Sequence, residues 1–215
     1  MQLDEVLRWL ARRWAPPAGP SWQQLVTEFH RAAGRAVPAA PVGALVSSQA
    51  TFYEDLLDEE MKELRVAVAG TDIVAVADAL ADVVYVACDI TVAYGLGTSD
   101  ALAHYPIATV LTGEVLVEYL SGVMSDLHIA FHLHDVAFIS RCLASVVAAC
   151  DWAGFCYGFD LDPVVREVHK SNMTKLGPDG RFVARGDGKI LKGPGYRPPD
   201  IAGALRSAPS SGAAA

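Results

Sequence analysis

The chain has 215 residues, of which 52% are hydrophobic, and carries a formal net charge of −8 at pH 7. This length allows one large domain or two small ones with a well-packed core, and the sequence pI near 5.1 argues against a nucleic-acid-binding surface. Aspartates interrupt the longest apolar stretches and the N-terminus has no apolar signal core, so we expect no membrane partner. The four cysteines form no CxxC pair, which favours a reducing, cytoplasmic location.

Hydrophobic residues recur with helical spacing along most of the chain, and strand patterns are nearly absent, so the sequence predicts an all-α fold. A proline-rich connector, AVPAAPVGA, separates the second and third predicted helices. After Lys175, glycine and proline recur, which indicates a hairpin or an extended arm. The predicted helices cover about 2–14, 21–34, 48–69, 73–94, 98–104, 107–132, 135–157 and 161–173.

The third and fourth predicted helices return later in the chain as a second helix pair. Residues 57–95 align with residues 120–158 at an offset of 63 without a gap, and eleven positions are identical. The identical residues follow the face that each helix turns to the core, and both copies close on Tyr-Gly. The pattern predicts an internal duplication, a pseudo-dimer in which each pair buries the apolar face of the other.

This organisation divides the chain into an N-terminal extension, a catalytic half, a degenerate repeat, a C-terminal helix with its arm, and a disordered tail. The expected boundaries are 1–20, 21–105, 106–158, 159–203 and 204–215.

Five carboxylates of the first helix pair are spaced to meet across its two helices. Glu59, Glu60 and Glu63 lie in DEEMKEL, where Glu59 and Glu63 share a face and Glu60 falls on its flank. Asp78 and Asp82 share a face of the next helix, which is otherwise apolar nearly all round. A solvated acidic face would explain the glutamates alone, but buried aspartates are costly unless paired or metal-bound. The pattern therefore predicts a Mg²⁺ site, with Mn²⁺ also suited to the ligands.

The second helix pair lacks these carboxylates. A glycine, a valine, an aspartate, an arginine and a serine stand where the five acids stand in the first pair: Gly122, Val123, Asp126, Arg141 and Ser145. The core-facing residues are kept, so we expect one half of the pseudo-dimer to be catalytic and the other structural.

The EEMKEL motif, together with SNMTK and DGKILKGPGY near the C-terminus, resembles the MazG-like all-α nucleoside triphosphate pyrophosphohydrolase superfamily. That group includes phosphoribosyl-ATP pyrophosphohydrolases and the dimeric dUTPases. The resemblance covers residues 22–95 and 154–201. The second motif of the superfamily is ExxD; Asp82 fits its aspartate, but Ala79 occupies the glutamate position, and Asp78 is expected to substitute for that glutamate.

The resemblance implies hydrolysis between the α- and β-phosphates, which gives a nucleoside monophosphate and pyrophosphate. It implies that Asn172 and Lys175 contact the substrate, and Lys189, Lys192 and Tyr196 of the arm are expected to close over the phosphates. The carboxylates are expected to hold Mg²⁺, and one that is not fully used as a ligand, Glu59 or Glu60, is the candidate general base. Phosphoribosyl-ATP hydrolysis and nucleotide binding without turnover remain alternatives. The chain is expected to form a homodimer, and no residue identifies the preferred base or sugar.

Overall fold

The computed structural model describes residues 3–14, 19–97, 105–106, 109–177, 181–186 and 188–207. Within these residues it contains eight helices and no strand, which confirms the all-α class. The helices are α1 (Leu3–Trp14), α2 (Trp22–Ala32), α3 (Ser47–Gly70), α4 (Ile73–Ala93), α5 (Gly113–Leu133), α6 (Val136–Tyr157), α7 (Leu161–Met173) and α8 (Ile201–Ser207).

The helix α4 lies at the centre of the molecule. It packs against α2, α3, α6, α7 and α8, while α5 packs against α3 and α6. Its residues from Val83 to Val92 are all buried, because the sequence is apolar on every face. Both helix pairs therefore contribute to a single hydrophobic core.

The helix α6 is the second buried helix. Its length and composition would allow it to cross a membrane, but most of its apolar window, 61%, is buried inside the structure. A core helix of a globular domain passes the same test, so this finding does not favour a membrane span.

The helix α1 is fastened to α6 by a buried ion pair. Arg13 Nη2 lies 2.6 Å from Asp151 Oδ1, and Arg13 Nε donates to Asp151 Oδ2 at 2.7 Å. The Tyr105 hydroxyl donates to the same carboxylate at 2.7 Å. Trp9 packs edge-on against Trp152, with ring centroids 5.1 Å apart. These contacts hold the N-terminal helix on the side of the molecule formed by the second helix pair.

The two helix pairs turn at equivalent positions. Thr71 (φ 61°) and His134 (φ 52°) end α3 and α5 in the left-handed conformation, and no other non-glycine residue in the described part of the chain has a positive φ. Asp72 and Asp135 follow and cap α4 and α6 with their side chains. The two turns thus keep the offset of 63 residues seen in the sequence, while the duplication itself stays a prediction.

The helix α5 begins later than expected, at Gly113 rather than near residue 107. Thr112 is extended, with ψ 161°, and the carbonyl oxygen of Thr109 accepts a hydrogen bond from Trp152 Nε1 at 2.7 Å. This bond to the buried indole holds the preceding segment against α6 in a non-helical conformation. The short helix predicted over 98–104 lies outside the described residues.

The chain also remains ordered further towards the C-terminus than expected. Residues 201–207 form α8, and both Ile201 and Ala204 are buried. The prediction of a disordered tail is therefore wrong for 204–207, because apolar residues of this segment pack against α4 and α7. The remainder, 208–215, lies outside the described residues.

The connector between α2 and α3 crosses the C-terminal end of α4. The Val42 N–H donates to the carbonyl oxygen of Tyr94 at 3.0 Å. Gly95 follows with φ 65°, and a Cβ at this position would collide with the carbonyl oxygen of Ala40. Only glycine combines this backbone conformation with so close an approach of another backbone. The contact fixes the connector beside the site described below.

Candidate active site

A cavity of about 110 Å³ opens among α2, α3, α4, α7 and the C-terminal arm. It brings together residues that the sequence assigned to two different tasks: Glu60 and Asp82 as metal ligands, and Asn172, Lys175 and Lys189 as substrate contacts. The rest of the lining is Phe29, Arg35, Phe52, Leu56, Tyr85, Val86, Asp89 and Ile190. We refer to this cavity as the carboxylate cleft.

The three glutamates of α3 differ in their exposure. Leu57, Met61 and Leu64 face the core, and Glu60 lies at the edge of this face in the helical projection, so its side chain is half-buried and lines the cleft. Glu59 and Glu63 are exposed. Glu60 flanks the stripe that they form, as the helical spacing predicts, and it does so on the side next to the core face of α3.

Electrostatic repulsion accompanies the burial of these acids. Burial, followed by the charges of Glu63 and Glu59, raises the pKa of Glu60 to about 7. Burial and then the charge of Glu60 raise the pKa of Asp82 well above its usual value. The cleft thus concentrates negative charge that the protein neutralises only in part.

Asp78 lies one turn before Asp82 on α4 and is half-buried. Its Oδ1 atom is buried without a hydrogen-bond partner in the structure. Burial and the charge of Glu63 raise the pKa of Asp78. A buried carboxylate oxygen without a partner is costly, and coordination to a cation is one way to satisfy it.

As the side chains stand, no three His, Cys, Asp or Glu residues in the described part of the chain are grouped closely enough to hold a metal ion. The donor chemistry nevertheless suits a hard cation, since Glu60 and Asp82 bring carboxylate oxygens into the cleft and the charge of Glu60 raises the pKa of Asp82. The other three predicted ligands, Glu59, Glu63 and Asp78, are outside the described lining of the cleft, and Asp78 contributes the unpartnered oxygen Oδ1. The residues that would hold Mg²⁺ are these five.

Lysines from α7 and the arm face the carboxylates. Lys189 Nζ lies 2.6 Å from Glu59 Oε2. Lys175, just beyond the end of α7, has a pKa lowered by burial, and the charge of Asp82 opposes this shift. The structure therefore places positive groups where the resemblance predicts contacts to phosphate.

The remaining predicted substrate residues lie in two different places. Asn172 lines the cleft and hydrogen-bonds with the Tyr85 side chain. The Tyr85 hydroxyl also hydrogen-bonds with His169 Nδ1 at 3.1 Å, which ties α4 to α7. Lys192 instead lies over the ring of Tyr196, 4.8 Å from its centroid, and neither residue belongs to the described lining of the cleft.

A larger groove of about 1000 Å³ adjoins the cleft. Its walls are the α2–α3 connector, the N-terminal half of α3 and the arm around Arg185 and Lys189. Arg35, Phe52, Leu56 and Lys189 line both spaces, so the groove and the cleft form one continuous depression. Its aromatic and cationic lining suits a nucleotide with its phosphates turned towards the carboxylates.

The sequence analysis did not assign Arg35, Phe29, Phe52 or Tyr85 to the site. Asp89 falls on the Asp78–Asp82 face, nearly two turns past Asp82. It is 4% exposed and binds His30 Nε2 and the Arg35 guanidinium. The helix face that Asp89 shares with Asp78 and Asp82 was the sequence signal that could have placed Asp89 near the site.

Comparison with known proteins gives one family match. Residues 26–105 match the family model described as phosphoribosyl-ATP pyrophosphohydrolase. No curated protein matches, and no solved structure matches. The matched segment contains both carboxylate motifs, the connector and most of the residues that line the cleft and the groove.

Proposed function

We propose that the chain is a Mg²⁺-dependent nucleoside triphosphate pyrophosphohydrolase of the MazG-like/phosphoribosyl-ATP pyrophosphohydrolase superfamily, since residues 26–105 match the phosphoribosyl-ATP pyrophosphohydrolase family model. The reaction would convert a ribo- or deoxyribonucleoside triphosphate to the monophosphate and pyrophosphate, as a housekeeping activity on the nucleotide pool. The observation that carries the proposal is the convergence of Glu60 and Asp82 with Lys175 and Lys189 in one cleft.

In this reaction a water oxygen forms a bond to phosphorus, and the bond from that phosphorus to the oxygen bridging the α- and β-phosphates breaks. Bound Mg²⁺ would neutralise phosphate charge and lower the pKa of the attacking water. Glu60 is placed to accept the proton of the water, since it lines the cleft and its pKa is raised to about 7, whereas Glu59 is outside the described lining of the cleft. The structure thus favours Glu60 over Glu59 as the general base.

The lysines have a separate task. Lys175 and Lys189 both carry positive charge into the cleft, and an ammonium group binds phosphate without demanding a fixed geometry. In the proposed complex Lys189 would leave Glu59 for a phosphate oxygen, while Asn172 supports the substrate from α7. Lys192 and Tyr196, which lie outside the cleft in this conformation, remain proposed substrate contacts of the arm.

Phosphoribosyl-ATP is the second candidate substrate. The matching family model carries that name, and the groove of about 1000 Å³ offers room beyond a nucleoside. The bond hydrolysed and the assigned roles would be the same for both substrates. The long arm and the predicted duplication favour the nucleoside triphosphate.

Pyrophosphate release from a panel of NTPs, dNTPs and phosphoribosyl-ATP, with and without Mg²⁺, tests the proposal. Glu60→Gln and Asp82→Asn should abolish release, whereas Asp126→Asn, at the equivalent of Glu63 in the second helix pair, should retain it. Binding without release from every substrate would instead indicate a nucleotide-binding protein. Release that persists in both cleft variants would contradict the assigned site.

We further propose a cytoplasmic homodimer. The four cysteines are unpaired in the structure, and three of them are buried, as in a reducing compartment. Measurement of the molar mass in solution tests the assembly, and a monomer at all concentrations would rule the dimer out.

A further inference from the structure

We propose that Arg35 is a positioning residue that fastens the C-terminal arm over the carboxylate cleft and thereby places Lys189. The expected effect on catalysis rests on the proposed function, but the attachment of the arm by Arg35 can be measured without turnover. Arg35 stands in the connector between α2 and α3, and the sequence analysis gave it no role.

The first observation is the hydrogen bond from Arg35 to the arm. Arg35 Nη2 donates to the carbonyl oxygen of Gly188 at 2.8 Å. Gly188 directly precedes Lys189, whose ammonium lies 2.6 Å from Glu59 Oε2. One peptide unit therefore separates the point where the arm is held from the cation that faces the carboxylates.

The second observation is that Arg35 is itself held from the opposite side. Its Nη1 atom donates to Asp89 Oδ2 at 3.2 Å, and Asp89 is buried on α4. The guanidinium also lies over the rings of Phe29 and Phe52, with its carbon 5.8 and 5.7 Å from their centroids. A planar group with several donors can satisfy the carboxylate and the carbonyl at once, and a lysine cannot.

The third observation is that the arm presents a defined element for Arg35 to hold. Ala184 and Ile190 form an isolated antiparallel bridge. The Arg185 N–H donates to Lys189 O, and the Leu191 N–H donates to Val183 O, both at 2.8 Å. Because these bonds connect the two sides of the arm, a hold on Gly188 fixes the surrounding hairpin and not a single residue.

The chain of contacts therefore runs from Asp89 on α4, through Arg35, to Gly188 and Lys189. Arg35 carries two functions in this arrangement. It compensates the buried charge of Asp89, and it couples α4, which bears Asp78 and Asp82, to the element that bears a predicted phosphate contact. A purely structural arginine would perform only the first.

Limited proteolysis of the full chain tests the fastening. Four trypsin sites lie in the arm: Arg181, Arg185, Lys189 and Lys192. Arg35→Met should accelerate cleavage at these sites about 10-fold, the change expected when one charge-assisted contact that holds a segment is lost. Arg31→Met, which changes an exposed arginine in the last turn of α2, is the matched control and should leave the rate unchanged. Equal rates in the wild type and in Arg35→Met would overturn the proposal.

A double-mutant cycle with Lys189→Met tests the catalytic consequence. Arg35→Met should lower kcat/KM for the preferred nucleotide about 10-fold, mainly through a higher KM. In a chain that already carries Lys189→Met, the same change should have an effect of less than about 2-fold, because the residue it positions is gone. A full 10-fold effect in both backgrounds would show a role independent of Lys189 and overturn the inference.

A second variant covers the possibility that Arg35→Met does not fold. Arg35→Lys keeps a charge for Asp89 but loses the simultaneous bond to Gly188, so it should fold and still show faster cleavage of the arm. Wild-type cleavage and kinetics in Arg35→Lys would contradict the proposal. If no nucleotide is turned over by the wild-type chain, the proposed function fails while proteolysis still decides the fastening.

Discussion

The carboxylate of Glu60 on α3 raises the pKa of Asp82 on α4, and after burial it is the largest influence on that group. The two acids face one cleft from neighbouring helices, and no hydrogen bond between them relieves the repulsion. The repulsion between the two acids lowers the free energy of unfolding in the absence of a cation, and binding of a cation raises it.

The first prediction concerns pH. The pKa of Glu60 is raised in the folded chain to about 7, so the folded state binds the proton more tightly than the unfolded state does. Stability is therefore lost as the pH rises from the usual glutamate range towards about 7. Without divalent metal, Glu60→Gln should be more stable than the wild type at pH 8 by about 1 kcal/mol, and the difference should shrink at pH 4. Urea unfolding at both pH values measures it, with the exposed Glu118→Gln as the control.

The second prediction concerns metal binding. Mg²⁺ should raise the melting temperature of the wild type, because a ligand at about 100 times its Kd stabilises by about 2.7 kcal/mol. Asp82→Asn should lose most of this shift and Asp126→Asn should keep it. A thermal scan with and without Mg²⁺ needs no substrate. An equal shift in all three proteins would place the metal outside the cleft.

The third prediction concerns the attachment of α1. Arg13→Met leaves the carboxylate of Asp151, which is 1% exposed, without its cationic partner. Removal of one member of a buried ion pair costs about 3 kcal/mol, and denaturant unfolding should show a loss of this order. The neighbouring Arg12, which is exposed, provides the control Arg12→Met, and similar losses in both variants would refute the assignment.

The fourth prediction concerns the turn between α3 and α4. Thr71 adopts φ 61°, a conformation that is strained for a β-branched residue. Thr71→Gly should therefore increase the free energy of unfolding by about 1 kcal/mol, and Thr71→Ala should not. His134→Gly, at the equivalent turn of the second pair, should behave in the same way. Stabilisation at neither turn would show that the strain is compensated elsewhere.

The helices could be predicted from the sequence where local capping signals and hydrophobic spacing agree. Ser21 caps α2 in a capping box that includes Gln24, and Asp72 caps α4 with its side chain. The start of α5 was wrong because the hydrogen bond from Trp152 to Thr109 is a contact between distant segments. No local pattern reveals such a contact.

The site was only partly predictable for the same reason. Glu60 and Asp82 follow from helical spacing, and Lys175 and Lys189 from the resemblance. Arg35 acquires its role only when the arm folds back across more than a hundred residues to reach it. The relative burial of Glu59 and Glu60 also depends on which face of α3 meets α4, and spacing within one motif cannot decide that.

The crossing of the connector over the end of α4 has a further consequence. The connector forms one wall of the groove, and it is fixed there by backbone contacts of Val42 with Tyr94 and of Ala40 with Gly95. These backbone contacts act together with the packing of Val37, Val42 and Leu45 against the core, and they do not depend on the exposed side chains of the wall. Exposed residues such as Ala44 and Val46 can therefore diverge and reshape the space for a base or a sugar while the acids of the cleft stay in place, which would let selection alter substrate preference separately from the chemistry.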